Sequence, residues 1–121
     1  MRRSAVVADD SQAVTKLVGA LLRREGFDVR EASDGDEAWR LIEEHAPDLL
    51  VVDDVLPCMS GIELVDALRE RPVLRPVQVA FLVEHESGLE RAALAGLDAD
   101  AIIWKPIDLE FVAMKLRVIC R

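Results

Sequence analysis

Short apolar runs alternate along the chain with stretches in which apolar residues recur every three or four positions. Ser4 to Ala8 reads as a buried strand that ends at Asp9-Asp10. Val14, Leu17, Val18, Leu21 and Leu22 then follow the i, i+3, i+4, i+7, i+8 pattern of an amphipathic helix, which Gly26 stops. Val29 to Ala32 is a second strand. Asp34-Gly35-Asp36-Glu37 turns the chain and puts acid at a helix start, and Ala38, Leu41 and Ile42 give that helix its apolar face before Pro47. Leu49-Leu50-Val51-Val52 is a continuous apolar run, the pattern of a central parallel strand covered on both faces, and it ends at Asp53. Ser60 and Glu63 form a capping box for a helix through Leu68. Arg71 to Pro76 is a loop and Val77 to Val83 a fourth strand. Leu89 to Leu94 reads as a helix closed by Gly96, and Ala101 to Trp104 as a fifth strand. After Lys105-Pro106, Asp108 caps a last helix with Leu109, Val112, Ala113, Leu116 and Ile119 inward.

Five strand-helix units in alternation predict an α/β fold, a parallel sheet with helices on both faces. The length of 121 residues fits one domain, 1–121, and the 51% apolar content supplies its core. The net charge of -8 changes the functional picture. Its mean field repels phosphates, which argues against direct nucleic-acid binding and against anionic membranes, and it suits cations or basic patches on partner proteins. No apolar run approaches the roughly 20 residues that span a bilayer. The first residues run straight into Asp9 without a signal-peptide pattern, and Cys58 and Cys120 form no CxxC, so a reducing cytoplasm is the expected setting.

The candidate chemistry lies at strand ends. Open parallel sheets bind ligands outside the carboxyl ends of their strands. Asp9 and Asp10 follow the first strand, Asp53 the third and Lys105 the fifth. If those three strands are adjacent, the carboxylates and the ammonium converge on one pocket. Clustered carboxylates repel one another, and a hard divalent cation such as Mg2+, with oxygen ligands and retained waters, resolves the repulsion. A carboxylate beside Mg2+ is also a nucleophile towards phosphorus. The plainer alternative is that Asp9 and Asp10 only cap the first helix. Asp54 adjoins Asp53, but strand side chains alternate, so only one of the two can face the pocket.

The acid pair Asp9-Asp10, the segment Leu49 to Asp53 with Pro57 and Gly61 behind it, and Lys105-Pro106 together resemble a response-regulator receiver domain. The resemblance covers essentially the whole chain. It implies a three-layer, doubly wound, flavodoxin-like (βα)5 fold with strand order 2-1-3-4-5. It implies that Asp53, four residues before Pro57, accepts a phosphoryl group from a histidine kinase or phosphotransfer protein. Asp10 would ligate Mg2+ directly and Asp9 through water, with Asp53 and the backbone carbonyl of Val55 as further donors. Lys105 would pair with Asp53 or its phosphoryl group. Such a chain is a phosphoacceptor that assists its own phosphorylation and dephosphorylation, and is not otherwise an enzyme.

The chain departs from that pattern at the switch. Receivers carry Ser or Thr at the end of the fourth strand. Counting from Pro76 puts Phe81 there, counting back from Lys105 puts Val83 there, and Val77 to Glu84 contains no hydroxyl residue. The switch aromatic, three residues before the lysine, is Ile102. Attenuated switching is therefore expected. The alternative is a pseudo-receiver, an interaction module independent of phosphorylation. A haloacid-dehalogenase-type phosphatase is disfavoured because it needs a D-x-D nucleophile motif. Phe111, Met114 and Val118 form a second apolar stripe on the last helix. In receivers the fourth helix, fifth strand and fifth helix make the usual dimer or effector face.

Overall fold

The computed structural model describes residues 3–74, 76–83, 99–104 and 109–119. Its elements are β1(Ser4–Ala8), α1(Gln12–Arg24), β2(Asp28–Ala32), α2(Gly35–His45), β3(Leu49–Asp53), α3(Gly61–Arg69), β4(Gln78–Val83), β5(Ala101–Trp104) and a last helix, Leu109–Ile119. The five strands are parallel in the order β2-β1-β3-β4-β5. The fold class and strand order are those expected from the sequence. In that order β3 lies beside β1, and β4 stands between β3 and β5. The expected helix over 89–94, Gly96 and the Lys105-Pro106 pair lie outside the described residues.

The alternation of strand side chains divides the core in two. Val6, Ala8, Leu50, Val52, Val79, Phe81 and Val83 pack on one side of the sheet with Ala38, Leu41 and Ile42 of α2 and Leu64, Val65 and Leu68 of α3. Ala5, Val7, Leu49, Val51, Ala80, Leu82 and Ile103 pack on the other with Val18, Leu21 and Leu22 of α1 and Val112, Ala113 and Leu116 of the last helix. This two-sided burial is why the strands read as continuous apolar runs and not as alternating ones.

Element ends are set by side chains. Ser11 caps α1 by accepting the Val14 N–H at 3.4 Å. Asp34 caps α2 by accepting the Glu37 N–H at 2.7 Å, and Glu37 Oε1 accepts the Ser33 N–H at 3.0 Å. Ser60 caps α3, its hydroxyl oxygen accepting the Glu63 N–H at 3.2 Å. Leu17, read from its spacing as inward, is 38% exposed, and Thr15 and Gly19 are buried instead. The buried stripe of α1 is thus rotated towards its small residues, which bring the helix close to the sheet. Across the bottom of β4, Arg69 donates to the Val77 carbonyl at 2.7 Å, and Asp100 Oδ2 accepts the Val79 N–H at 2.7 Å. Among the described residues no helix is long and apolar enough to cross a membrane.

Candidate functional site

The register of β1 against β3 builds the site. Ala8 pairs with Val52, so Asp9 and Asp53 are the next residues up on neighbouring parallel strands. Parallel strands stand about 4.8 Å apart, which brings the two carboxyl groups level and close. Asp10 completes the group: carboxylate oxygens of Asp9, Asp10 and Asp53 all lie within 4.8 Å of one another. Asp9 is 1% exposed and Asp53 6%, whereas Asp10 is exposed. The two buried acids are held in the same way. Asp9 Oδ1 accepts the Ser11 N–H at 2.9 Å, and Asp53 Oδ1 accepts the Val55 N–H at 3.0 Å. Each is an aspartate turned back onto the amide two residues on, which fixes the carboxylate's rotation.

Capping does not account for the acid pair. Ser11 is the N-cap of α1, and the helix's first turn contains no acid. The donor set also fits a metal: three carboxylates converging from two strand ends supply hard oxygen ligands of the kind Mg2+ takes. An open groove of about 410 Å³ runs beside the cluster, lined by Asp9, Gln12, Lys16, Glu31 and Glu37 among others. In it, Glu31 meets Lys16 at 3.7 Å and Arg23 at 3.2 Å. Burial works to raise the Glu31 carboxyl, but bonds from Thr15 and Arg23 and the Lys16 charge outweigh it and hold the group below the ordinary carboxylate range.

Asp54 is buried too, at 5% exposure, and stands outside the three-carboxylate group. Its amide donates to the Leu82 carbonyl at 3.3 Å, and its own carbonyl accepts the Gly61 N–H at 3.3 Å. This agrees with strand alternation: only one of the neighbouring aspartates joins the cluster. Val55 lies beside the site, its side chain exposed. Lys105 lies outside the described residues.

The switch positions are apolar and packed. Phe81 and Val83 are both fully buried on the α2/α3 side, Phe81 pairing with Val52 and Ile102, and Val83 with Trp104. Leu82 is level with Asp53. Ile102 is half-buried against the same cluster. Met114 and Val118 are exposed, as their stripe requires, while the side chain of Phe111 lies outside the described set.

The loop after Asp53 shows why the motif glycine Gly61 stands where it does, and adds two features without a clear sequence signal, the Gly35 contact and the Cys58 backbone. A Cβ on Gly61 would strike the Asp53 carbonyl oxygen, and one on Gly35 would strike the Met59 carbonyl oxygen. Both helix starts therefore close onto this loop only as glycine. Cys58 sits at φ 71°, a left-handed conformation that costs about 1–2 kcal/mol without glycine's freedom. Local desolvation, then the Asp34 and Asp36 carboxylates, push its exposed thiol up. We expect Cys58→Gly to raise unfolding stability by about 1 kcal/mol, read from urea denaturation. No gain would mean that the thiol's contacts offset the backbone strain.

A doubly wound parallel sheet with an acid cluster at its carboxyl edge places the chain among the α/β domains that bind ligands at the carboxyl ends of their strands. Comparison with known proteins narrows the class. Residues 5–117 match the response regulator receiver domain family. The chain is 36% identical over 116 residues to the transcriptional regulatory protein TrcR of Mycobacterium tuberculosis, covering 96% of this chain and 44% of that protein. It is 32% identical over 121 residues to the alkaline phosphatase synthesis transcriptional regulatory protein PhoP of Bacillus subtilis, covering all of this chain and 50% of that one. The chain thus spans about half the length of the curated relatives it matches. Among solved structures, the chemotaxis response regulator CheY4 of Vibrio cholerae superposes with a TM-score of 0.89 at 24% identity, over 98% of this chain and 99% of that one. A CheY-like receiver domain protein from Methanospirillum hungatei superposes at 0.83 with 26% identity, over 98% and 93%. This chain belongs to the response regulator receiver domain family. The general role of such domains in two-component systems is to be phosphorylated by histidine kinases.

Proposed function

We propose that this chain is a single receiver domain, 1–121, that accepts a phosphoryl group on Asp53 in a Mg2+-dependent reaction. The observation that carries the reading is the convergence of Asp9, Asp10 and Asp53 at the ends of adjacent strands. Asp9, Asp10 and Asp53 would hold the ion, with the Val55 backbone carbonyl as a further oxygen donor. Bound there, it supplies positive charge against the carboxylates and the phosphoryl oxygens.

The remaining work falls to the chain. The Val55 N–H fixes Asp53's carboxylate by its Oδ1. A carboxylate oxygen attacks phosphorus, the P–N bond to the donor's histidine breaks, and the imidazole leaves and takes up a proton. Lys105, carried over from the family resemblance, would pair with the phosphoryl oxygens. Hydrolysis of the acyl phosphate, assisted at the same site, would reset the domain. The partners are a histidine kinase or phosphotransfer protein, and the exposed Met114 and Val118 would serve a dimer or effector contact.

The second reading is a pseudo-receiver, and the fully buried apolar end of β4 favours it. The two separate by intact mass after incubation with acetyl phosphate and Mg2+. The receiver reading expects wild type to gain one phosphoryl group and Asp53→Asn to gain none. A wild type that gains none from small donors or from a cognate kinase would establish the pseudo-receiver.

A further inference from the structure

The phosphoacceptor loop, residues 54–60, rests on the first turn of α2. The Gly35 N–H donates to the Pro57 carbonyl at 3.0 Å. A Cβ on Gly35 would stand 2.5 Å from the Met59 Cβ and 2.6 Å from the Met59 carbonyl carbon, besides striking its oxygen. Something must yield to any side chain there, and the neighbours decide what. The α2 helix is anchored by the fully buried Ala38 and Ile42 and by the Asp34 and Glu37 caps. The loop is held by the buried Asp54 and Leu56, but Val55, Pro57 and Cys58 between and beyond them are exposed and Cys58 already holds a left-handed φ, so the loop yields before the helix. Its near end is the Val55 N–H that fixes the Asp53 carboxylate.

We propose that Gly35 is a positioning residue for phosphoryl acceptance. It seats the loop against α2 and, through the loop's Val55 amide, orients Asp53. The inference rests on Asp53 being the acceptor. A side chain at 35 displaces the loop, and misplacement of a reacting group by about 1 Å can cost on the order of a hundredfold in rate. The Gly35 N–H is bonded to the loop's Pro57 carbonyl, so a loop that moves when a phosphoryl analogue binds at Asp53 perturbs the Gly35 amide.

Gly26→Ala is the matched control. Gly26 has φ +97°, so alanine strains its backbone, but its added Cβ meets nothing within 4 Å. The variant loses stability without touching the loop. Phosphorylation by acetyl phosphate and Mg2+ is followed in wild type, Gly35→Ala and Gly26→Ala, with urea melts of each. The Gly35 amide resonance of wild type is followed on adding beryllofluoride and Mg2+. We expect Gly35→Ala to be slower by about tenfold or more, Gly26→Ala to keep the wild-type rate, and the Gly35 resonance to move while Gly26 stays. A folded Gly35→Ala at the wild-type rate, or both variants slowing in step with lost stability, overturns the assignment. If Gly35→Ala does not fold, the wild-type amide decides: an unmoved Gly35 resonance overturns the assignment, and a moved one upholds it. A wild type that takes up no phosphoryl group from any donor fails at the earlier step and removes the proposed function itself.

Discussion

Asp53→Asn raises the melting temperature of the metal-free protein and erases the stabilisation that Mg2+ gives to wild type. The cause is the close approach of like charges in a site where Asp9 and Asp53 are almost wholly buried. Two unit charges at this separation repel by about 3 kcal/mol at an effective dielectric of about 20. Part of that is offset by the Ser11 and Val55 amides, so relief of about 1–3 kcal/mol is expected. For a domain of this size that is roughly 4 °C for each kcal/mol. Asparagine keeps the oxygen that accepts the Val55 N–H, so the change removes charge and little else. Asp10→Asn acts in the same direction but less, because an exposed charge is screened. In wild type, Mg2+ at a hundred times its dissociation constant adds about 2.7 kcal/mol. In Asp53→Asn the added ion leaves the melting temperature where it was. Scanning calorimetry with and without Mg2+ measures both effects. Unchanged apo stability together with retained Mg2+ stabilisation in both variants sinks the metal-site assignment.

Phosphorylation produces a local response and a weak distant one. An activating ligand shifts a two-state equilibrium only by the difference in its contacts with the two states. A hydroxyl-to-phosphoryl hydrogen bond is charge-assisted and contributes about 1.5–3 kcal/mol, roughly a ten- to hundredfold bias. Phe81, Leu82 and Val83 are apolar and fully buried, so no hydroxyl is available whichever residue occupies the switch place. Ile102, in the aromatic's place, packs into the same core and has no ring to swing. Beryllofluoride should therefore shift amide resonances around Asp53, the loop over 54–60 and the start of α2. Resonances of β5 and of the last helix should move little. A partner bound through Met114 and Val118 should show little phosphate dependence. Large shifts spanning residues 85 to 115, or a tenfold gain in association, would show that another residue has replaced the hydroxyl.

The layering of the fold was legible because it is written in local patterns. Leu49 to Val52 reads as a strand covered on both faces, and both of its faces are buried. The Ser60–Glu63 cap appears where its spacing places it. On the last helix Val112, Ala113 and Leu116 are buried as read, while the side chains of Leu109 and Ile119 lie outside the described set. Less was legible where position depends on rotation or on distant packing. Leu17 satisfies the helical spacing, yet it faces outward because the buried stripe is rotated towards Thr15 and Gly19. Asp9 and Asp10 precede a helix and invite a capping role that Ser11 performs. That Asp9 and Asp53 stand level follows from the β1/β3 register, which neither strand's own residues specify. Gly35 looked like an ordinary turn glycine within Asp-Gly-Asp-Glu. Its neighbour across the fold, Met59, is remote in sequence, and no periodicity joins the two.

The acceptor itself is open to direct chemical reading. An aspartyl phosphate is an acyl phosphate, and borohydride reduces it to homoserine, leaving a permanent mark at the modified residue. The protein is phosphorylated in the presence of Mg2+, reduced, digested and mapped by peptide sequencing. The account predicts homoserine at position 53 and aspartate retained at 9, 10 and 54. Homoserine at 54, or at 9 or 10 with 53 unmodified, would contradict it.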